Sequence, residues 1–580
     1  MILTALDWAL VAAYFVASLA IGLYYSRRGG RNVSEYFLSG RSLPWWLAGT
    51  SMVATTFAAD TPLAVAGLVA RNGVAGNWIW WNGALGGMLT VFFFARLWRR
   101  AGILTDIEFA ELRYSGRPAA LLRGFRALYL GIPINCVIMG WVNLAMAKIL
   151  AVTMGYDRLT AVLISLGITG FYAALSGLWG VVVTDFFQFV FAMAGTIALA
   201  VLALRLPDVG GIAGLQEKLP PESFEFLPRL GGDVTQVGAS LALPAAAFFT
   251  YVGVQWWASW YPGQEPGGGG YVAQRMMSAK DERHSFYATL WFTIAHYCVR
   301  PWPWILVGLV SLVLYPDLTD KEAGYVMVMR DHLPAGMRGL LLGTFFAAYM
   351  STIATQLNWG SSYVVNDFYR RFVRRDGSDR HYVWVSRVTT ILIMLAGAVV
   401  TFYLDSIRQA WEFVLESGAG IGLVLILRWY WWRVNAWSEI SAMVTAAVGF
   451  AAVRLFTDLQ FPDSLLVVVA GTTITWLIVT LATAPEPELH LIAFYERVRP
   501  GGPGWAPIAA KAGGAPPAPL QGLFLDWIAG GVLVYATLFA LGALIFGRYA
   551  EASGWLLAAA VAIVVISRDL SRRGWKTLTQ

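Results

Sequence analysis

The sequence predicts an all-α polytopic membrane protein, and three observations carry that prediction. Mean hydropathy is +0.59, and 58% of the 580 residues are hydrophobic, outside the range of ordinary soluble chains. Only 13% of residues are charged, so uncharged runs long enough to cross a bilayer recur from end to end. Aromatic content is 14%, including 27 Trp, which suits interfacial belts and an aromatic-lined pathway.

In chain order, spans 1–6 are expected at 6–24, 45–69, 78–97, 128–154, 160–178 and 181–204. Spans 7–12 follow at 241–260, 286–314, 337–363, 384–403, 410–432 and 436–455, and spans 13–15 at 465–481, 524–546 and 555–567. That is about fifteen helices of spanning length. The first run has no cationic leader or small-residue cleavage site and reads as a retained span.

Lys and Arg in the short loops set an orientation. Arg27, Arg28, Arg31 and Arg41 follow span 1, and Arg99, Arg100, Arg113 and Arg117 follow span 3. Arg275, Lys280 and Arg283 follow span 7; Arg370, Arg371, Arg374, Arg375 and Arg380 follow span 9; Arg568, Arg572, Arg573 and Lys576 lie in the tail. If every run crosses, all of these fall on one side, so the N-terminus is expected outside and the C-terminus in the cytoplasm of a plasma-membrane protein. A net charge of +7 then reads as topology, with no nucleic-acid partner. Nothing in the sequence sets an oligomeric state.

Composition also marks the joints. The Gly/Pro/Ala-rich stretch at 499–520 reads as a linker before the last two spans. PGQEPGGGG at 262–270 is a breaker cluster without the Lys-Ser/Thr ending of a phosphate loop. Cys136 and Cys298 both fall in apolar runs and read as small buried hydrophobes. The five histidines are scattered, and no HExxH or GxSxG motif is present, so hydrolytic, redox and mononuclear-metal enzymes have no residues to build on.

Polar residues at membrane depth carry the functional information. Span 2 reads SMVATTFAADTPLAVAG at its centre, placing the Asp60 carboxylate and Pro62 inside an apolar run. A carboxylate at mid-membrane costs at least about 2.5 kcal/mol, and Pro62 removes a helix hydrogen bond at Ala58. Broken helix is tolerated at that depth only where protein or a watery cavity surrounds it, so this stretch is a candidate binding site. In span 9, Ala348, Ser351 and Thr352 share a helix face, a set of hard oxygens suited to a hard cation; back-bonding of the two hydroxyls to the preceding turn is the alternative. Asp185 after Gly180 is either a helix cap or a functional acid. His296 and Arg300, one turn apart before Pro301-Trp302-Pro303, are either a cavity wall or core and interface residues. Glu416 precedes Ser417-Gly418-Ala419-Gly420, a small-residue surface for close packing. Trp256-Trp257 either stack on a ligand or fill a core.

Several blocks together resemble the sodium:solute symporter family, whose members include sodium-coupled carriers of glucose, proline and sialic acid. They are Tyr36-Phe37-Leu38-Ser39-Gly40-Arg41-Ser42-Leu43-Pro44-Trp45-Trp46, then Thr105-Asp106-Ile107-Glu108-Phe109 before Arg113-Tyr114, and Thr184-Asp185-Phe186-Phe187-Gln188. Gln274-Arg275 with Ala279-Lys280, and Asn358 with Asp367-Phe368-Tyr369, complete the series, which runs in order over about residues 1–435.

The resemblance implies a five-plus-five inverted-repeat (LeuT-type) transporter core of spans 2–6 and 7–11, with one extra N-terminal span and about four C-terminal spans. The chain then divides into 1–44 (first span and loop), 45–204 (repeat one), 205–240 (extracellular loop), 241–433 (repeat two), 434–483 (extra spans), 484–522 (linker) and 523–580 (last spans and basic tail). It implies sodium bound by the carbonyls of Ala54, Phe57 and Ala348 and the hydroxyls of Ser351 and Thr352, with Asp185 near the ion's exit. Sodium-driven import of a small polar solute is the function expected. Thr56, Asp60, Thr61, Trp80, Trp256, Trp257, His296 and Glu416 are the candidate solute positions. Several depart from the family. Thr56 and Asp60-Thr61 stand where sugar carriers place Asn and Glu-Gln, Trp80 where they place a glutamate, His296 near their lysine and Trp257 near their gate tyrosine. A sugar or polyol suits these residues best; an amino acid or organic cation pairing with Asp60 is the alternative, and a membrane sensor or channel is a third.

Overall fold

The computed structural model describes residues 3–29, 33–228, 245–259, 265–513 and 516–579. Among them, ten helices are long and apolar enough to cross a membrane, and the only extended pairing is an isolated bridge between Leu43 and Ala279. Two further spans are bent pairs. Trp45–Thr56 and Asp60–Asn72 meet at 60°, and Ile407–Ser417 and Ile421–Tyr430 at 50°.

The first bend is where the sequence predicts it. Helix Trp45–Thr56 stops at Phe57, whose backbone leaves helical geometry at φ −93° and ψ 70°. Pro62 then sits in the first turn of the next half-helix, where its missing N–H costs nothing. The second bend falls on the small-residue stretch Ser417-Gly418-Ala419-Gly420, from which the sequence leads one to expect close packing alone. Gly420, at φ +87°, breaks the helix, and its N–H donates to the carbonyl of Ala258 at 2.9 Å. Close approach and break therefore share one short segment. At Gly422 a Cβ would lie 2.1 Å from the Trp257 carbonyl oxygen. Gly422→Ala is expected to destabilise by about 1–3 kcal/mol, whereas Gly471→Ala, with nothing within 4 Å of the added carbon, should be near neutral in the same thermal unfolding assay.

Three expectations are corrected by packing. The runs at 160–178 and 181–204 are carried on one continuous helix, Arg158–Leu204; no proline or polar turn separates them, so nothing ends the helix there. Arg275 and Arg113, counted as loop cations, are fully buried. Arg275 lies on helix Gly270–Ser278, which follows the Gly-rich breaker, and Arg113 donates to the carbonyls of Arg428, Trp431, Trp432 and Val434. The Gly/Pro-rich linker is docked: it forms helix Ala506–Lys511, and buried Trp505 donates its indole N–H to Trp429 O at 2.7 Å. Residues 262–264 of the breaker cluster lie outside the described residues. Cys136 and Cys298 are buried free thiols.

Helix Trp45–Thr56 sits inside the bundle against helices Arg158–Leu204, Glu282–Ile294 and Met337–Ser362. The bundle's outer face is apolar, as on helix Asp379–Thr401, where Trp384, Leu392, Leu395 and Val399 are exposed. That places the span-2 break, with its polar groups, at the protected centre.

Candidate functional site: a broken helix facing a hydroxyl pair

The last four carbonyls of any helix lack intrahelical donors, and here they belong to Val53, Ala54, Thr55 and Thr56. Each finds a substitute. Phe57 N–H donates to Val53 O and Ala54 O, both at 3.0 Å. Thr61 Oγ1 donates to Thr56 O at 3.3 Å. Thr352 Oγ1, arriving from span 9, donates to Thr55 O at 2.7 Å. The negative end of a half-helix dipole is thus held against the Ser351-Thr352 face of helix Met337–Ser362.

Ser351 Oγ donates to Asp185 Oδ1 at 2.6 Å, and Ser51 Oγ donates to Asp185 Oδ2 at 2.5 Å. One carboxylate therefore ties spans 2, 6 and 9 together. The Arg275 guanidinium lies 3.8 Å from Asp185 Oδ2 and donates to Ser51 Oγ at 3.2 Å and Thr355 Oγ1 at 2.8 Å. Asp185 is thus no terminal cap; it sits within a helix, next to one of the proposed ion-binding hydroxyls.

The donor set suits sodium. A hydroxyl that binds a cation must send its proton elsewhere, and Ser351 and Thr352 send theirs to Asp185 and Thr55 O, leaving oxygen lone pairs available. Carbonyls at a half-helix C-terminus are hard, partly negative ligands. Ala54 lies in that last turn, Phe57 caps it, and Ala348 precedes Ser351 by one turn on the facing helix.

Beside this point is a cavity of about 70 Å³. Its walls bring together Thr56, Asp60, Thr61, Trp80 and His296 from distant parts of the chain, and Thr352 also reaches it. Thr56 Oγ1 lies 2.9 Å from His296 Nδ1 and accepts from Arg300 Nη1 at 3.1 Å. Arg300 Nη2 lies 3.2 Å from His296 Nε2. A guanidinium can only donate, so Nε2 accepts and the histidine proton belongs on Nδ1, donating to Thr56. His296 sits on a π-helical turn, Ala295–Val299, a distortion common at functional sites. Pro301 opens the next helical segment directly after this turn.

On the same cavity wall, buried Asp60 keeps its Oδ1 and Gln356 its Oε1 without a hydrogen-bond partner, and the Trp411 indole N–H lies close to the Asp60 carboxylate. Unpartnered buried polar atoms are costly, and two acceptors around one space form a set able to bind the hydroxyls of a polar guest.

Three candidate positions fall outside. Trp256 packs on Trp527 with ring centroids 5.4 Å apart. Trp257 donates to Gly253 O at 2.7 Å, and Glu416 accepts from Arg454 at 3.0 Å. The cavity aromatic from the segment after the breaker cluster is Tyr271, joined by Trp141 and Trp411. Tyr271 was hidden because the Gly-rich insertion shifts any ungapped reading; its neighbours Gln274-Arg275 were the available signal. Trp411 precedes Leu415 by one helical turn, but no local pattern pointed it inward.

The family model described as "Sodium:solute symporter family" matches residues 36–449. The chain is 27% identical over 560 residues to sodium/glucose cotransporter 4 of Danio rerio, covering 84% of this chain and 80% of that protein. It is 26% identical over 513 residues to the sodium/glucose cotransporter of Vibrio parahaemolyticus, covering 83% and 91%. In fold it resembles the solved structure of a substrate-bound, outward-open sodium-coupled sialic acid symporter, with TM-score 0.65, 19% identity and coverage of 83% of this chain and 99% of that one. The architecture is accordingly the five-plus-five inverted-repeat transporter core, with span 2 as the broken first helix of repeat one. The broken helix, the hydroxyl pair facing it and the cavity between them all lie inside the matched range, and the chain belongs to the sodium:solute symporter family.

Proposed function

We infer that the protein is a sodium-coupled symporter that imports a hexose-like sugar through a plasma membrane. One observation carries the reading: Thr352 both bonds the broken end of span 2 at Thr55 and lines the cavity beside Thr56 and Asp60. An ion held by span 9 and span 2 at that point fixes the shape of the cavity wall. Ion and solute then each bind better with the other present, which is what coupling requires. An inward sodium ion gains about 2.3 kcal/mol per 100 mV from the membrane potential.

The relatives' names, sodium/glucose and sodium/mannose cotransporters, support a sugar. So does the cavity, where Asp60 and Gln356 can accept from hydroxyls and Trp80, Trp141 and Trp411 line the wall. Asp60 also sustains a second reading, an organic cation paired with its open oxygen. Arg27, Arg28, Arg31 and Arg41 directly after the first span, and Arg568, Arg572, Arg573 and Lys576 in the tail, are the cations nearest the two termini. They support an outside N-terminus and a cytoplasmic C-terminus.

The test is a thermal-shift screen of the purified protein with glucose, mannose, proline and betaine, in sodium chloride and in potassium chloride. A hexose should stabilise, and more so in sodium. Stabilisation by betaine alone would replace the sugar reading with the cation one, and no sodium dependence for any solute would overturn both. Asp60→Asn should weaken a sugar by about 1.5–3 kcal/mol, the value of a hydrogen bond to a charged group, which is about 10- to 100-fold in affinity. Isothermal titration with the stabilising hexose measures it.

A further inference from the structure

Away from the solute cavity, near the chain connecting helices Met337–Ser362 and Asp379–Thr401, lies a surface concavity of about 580 Å³. Its walls carry Arg123, Arg370, Arg371 and Arg375, with Asn366 and a single acid, Glu108. Two of the arginines are already spoken for. Arg123 pairs with Asp367 at 2.8 Å and Glu111 at 2.6 Å, and Arg371 pairs with Glu111 at 2.9 Å. These pairs brace the wall, joining helix Gly116–Tyr129 to the π-helical segment Tyr363–Val373.

Arg370 and Arg375 differ. Among the described residues neither makes an ion pair with a carboxylate. Arg370 stacks 5.0 Å over the Tyr382 ring, and Arg375 Nε donates to Arg371 O at 3.1 Å. Both side chains are exposed, so their remaining N–H groups face outward from a wall with excess positive charge. A forked guanidinium pair over a concavity is the geometry that binds phosphate.

What adjoins the concavity selects among phosphates. Phe372 is 43% exposed and Val373 61%, and beside them on helix Gly116–Tyr129 Leu121 is 59% and Phe125 49% exposed. The helices touch here, since a Cβ at Gly124 would lie 3.0 Å from the Phe372 ring, and Arg371 stacks 5.4 Å over that ring. Trp384, at the start of helix Asp379–Thr401, is 62% exposed, as interfacial tryptophans are. Guanidinium groups next to an apolar, outward-facing strip at the level of an interfacial Trp match a lipid's two ends. A free phosphate would use the charges and leave the strip unused.

We propose that this concavity is a seat for an anionic phospholipid, its headgroup phosphate held by Arg370 and Arg375 and its acyl chains lying along Phe372, Val373, Leu121 and Phe125. The seat bears on span 9 through the Tyr363–Val373 segment, which continues directly from the helix carrying Ser351 and Thr352.

The test uses full-length protein in a neutral detergent, titrated with short-chain phosphatidylglycerol, short-chain phosphatidylcholine or inorganic phosphate, with unfolding temperature as the readout. Phosphatidylglycerol should raise the unfolding temperature in a saturable way, while phosphatidylcholine and inorganic phosphate should not. Arg370→Gln combined with Arg375→Gln should remove the phosphatidylglycerol shift, and Arg330→Gln, on a distant surface, should keep it. Phe372→Ser gives a second, charge-neutral probe and should weaken the shift. Equal stabilisation by the two lipids, an undiminished shift in the double variant, or equal loss in Arg330→Gln would each overturn the proposal. Stabilisation by inorganic phosphate matching that by the lipid would overturn it in favour of a soluble-phosphate site.

Discussion

Ser351→Ala combined with Thr352→Ala should abolish sodium-driven uptake while leaving the protein folded. Each hydroxyl is expected to ligate sodium, and a hydrogen bond or ligand to a charged partner is worth about 1.5–3 kcal/mol. Losing two should therefore weaken sodium by 100-fold or more at about 1.4 kcal/mol per tenfold. The fold is spared because both side chains are small and already surrounded. What remains is an unpaired Thr55 carbonyl and one donor fewer on Asp185, a loss of about 1–3 kcal/mol. Uptake by proteoliposomes under an inward sodium gradient, beside the thermal shift produced by sodium alone, measures the effect. Ser351→Thr keeps a hydroxyl and should retain partial sodium response, a distinction that a purely structural role for the pair would not produce. Undiminished sodium-driven uptake in the double variant would remove the ion site from this position.

Why that pair was legible in the sequence, while its surroundings were not, comes down to range. Ser351, Thr352 and Ala348 converge through helix periodicity alone, and the span-2 break follows from Asp60 and Pro62 in an apolar run; both are local facts. Asp185 reaching Ser351, or Arg275 reaching Ser51, depends on how three helices meet, and neither is written in the neighbours of those residues. Arg275 was misread for a specific reason. It stands just before Lys280 and Arg283, so it counts as a loop cation unless a helix, Gly270–Ser278, is recognised directly after the Gly-rich breaker. The same misreading hid Tyr271. The break at Gly420 was the more recoverable miss. Ser417-Gly418-Ala419-Gly420 carries two glycines in four residues, a helix-terminating signal as much as a packing one. Helix Arg158–Leu204 fails in the other direction, since hydropathy dips near Gly180 but nothing there stops a helix.

The buried charge pair offers the other large effect, and one that separates folding from ion handling. Asp185→Ala leaves the Arg275 guanidinium fully buried without its counter-charge, and breaking a buried pair from one side costs about 3–5 kcal/mol. It also strips acceptors from Ser51 and Ser351. Asp185→Asn, which keeps a side-chain acceptor, should cost less. Arg275→Met alone should also destabilise, because it leaves Asp185 buried without its counter-charge. Combining Asp185→Ala with Arg275→Met removes both charges, and the double variant should recover most of the stability lost by either single variant, a coupling of about 1–3 kcal/mol in a double-mutant cycle. Additive losses would show that the 3.8 Å approach carries no energetic pairing. Sodium response should not recover alongside stability, since Ser351 in the double variant no longer has Asp185 to take its proton and is free to turn its hydroxyl hydrogen toward the ion. A folded double variant with weak sodium response assigns Asp185 a part in positioning the ion ligands. A double variant that regains both would confine the aspartate to balancing the charge of Arg275.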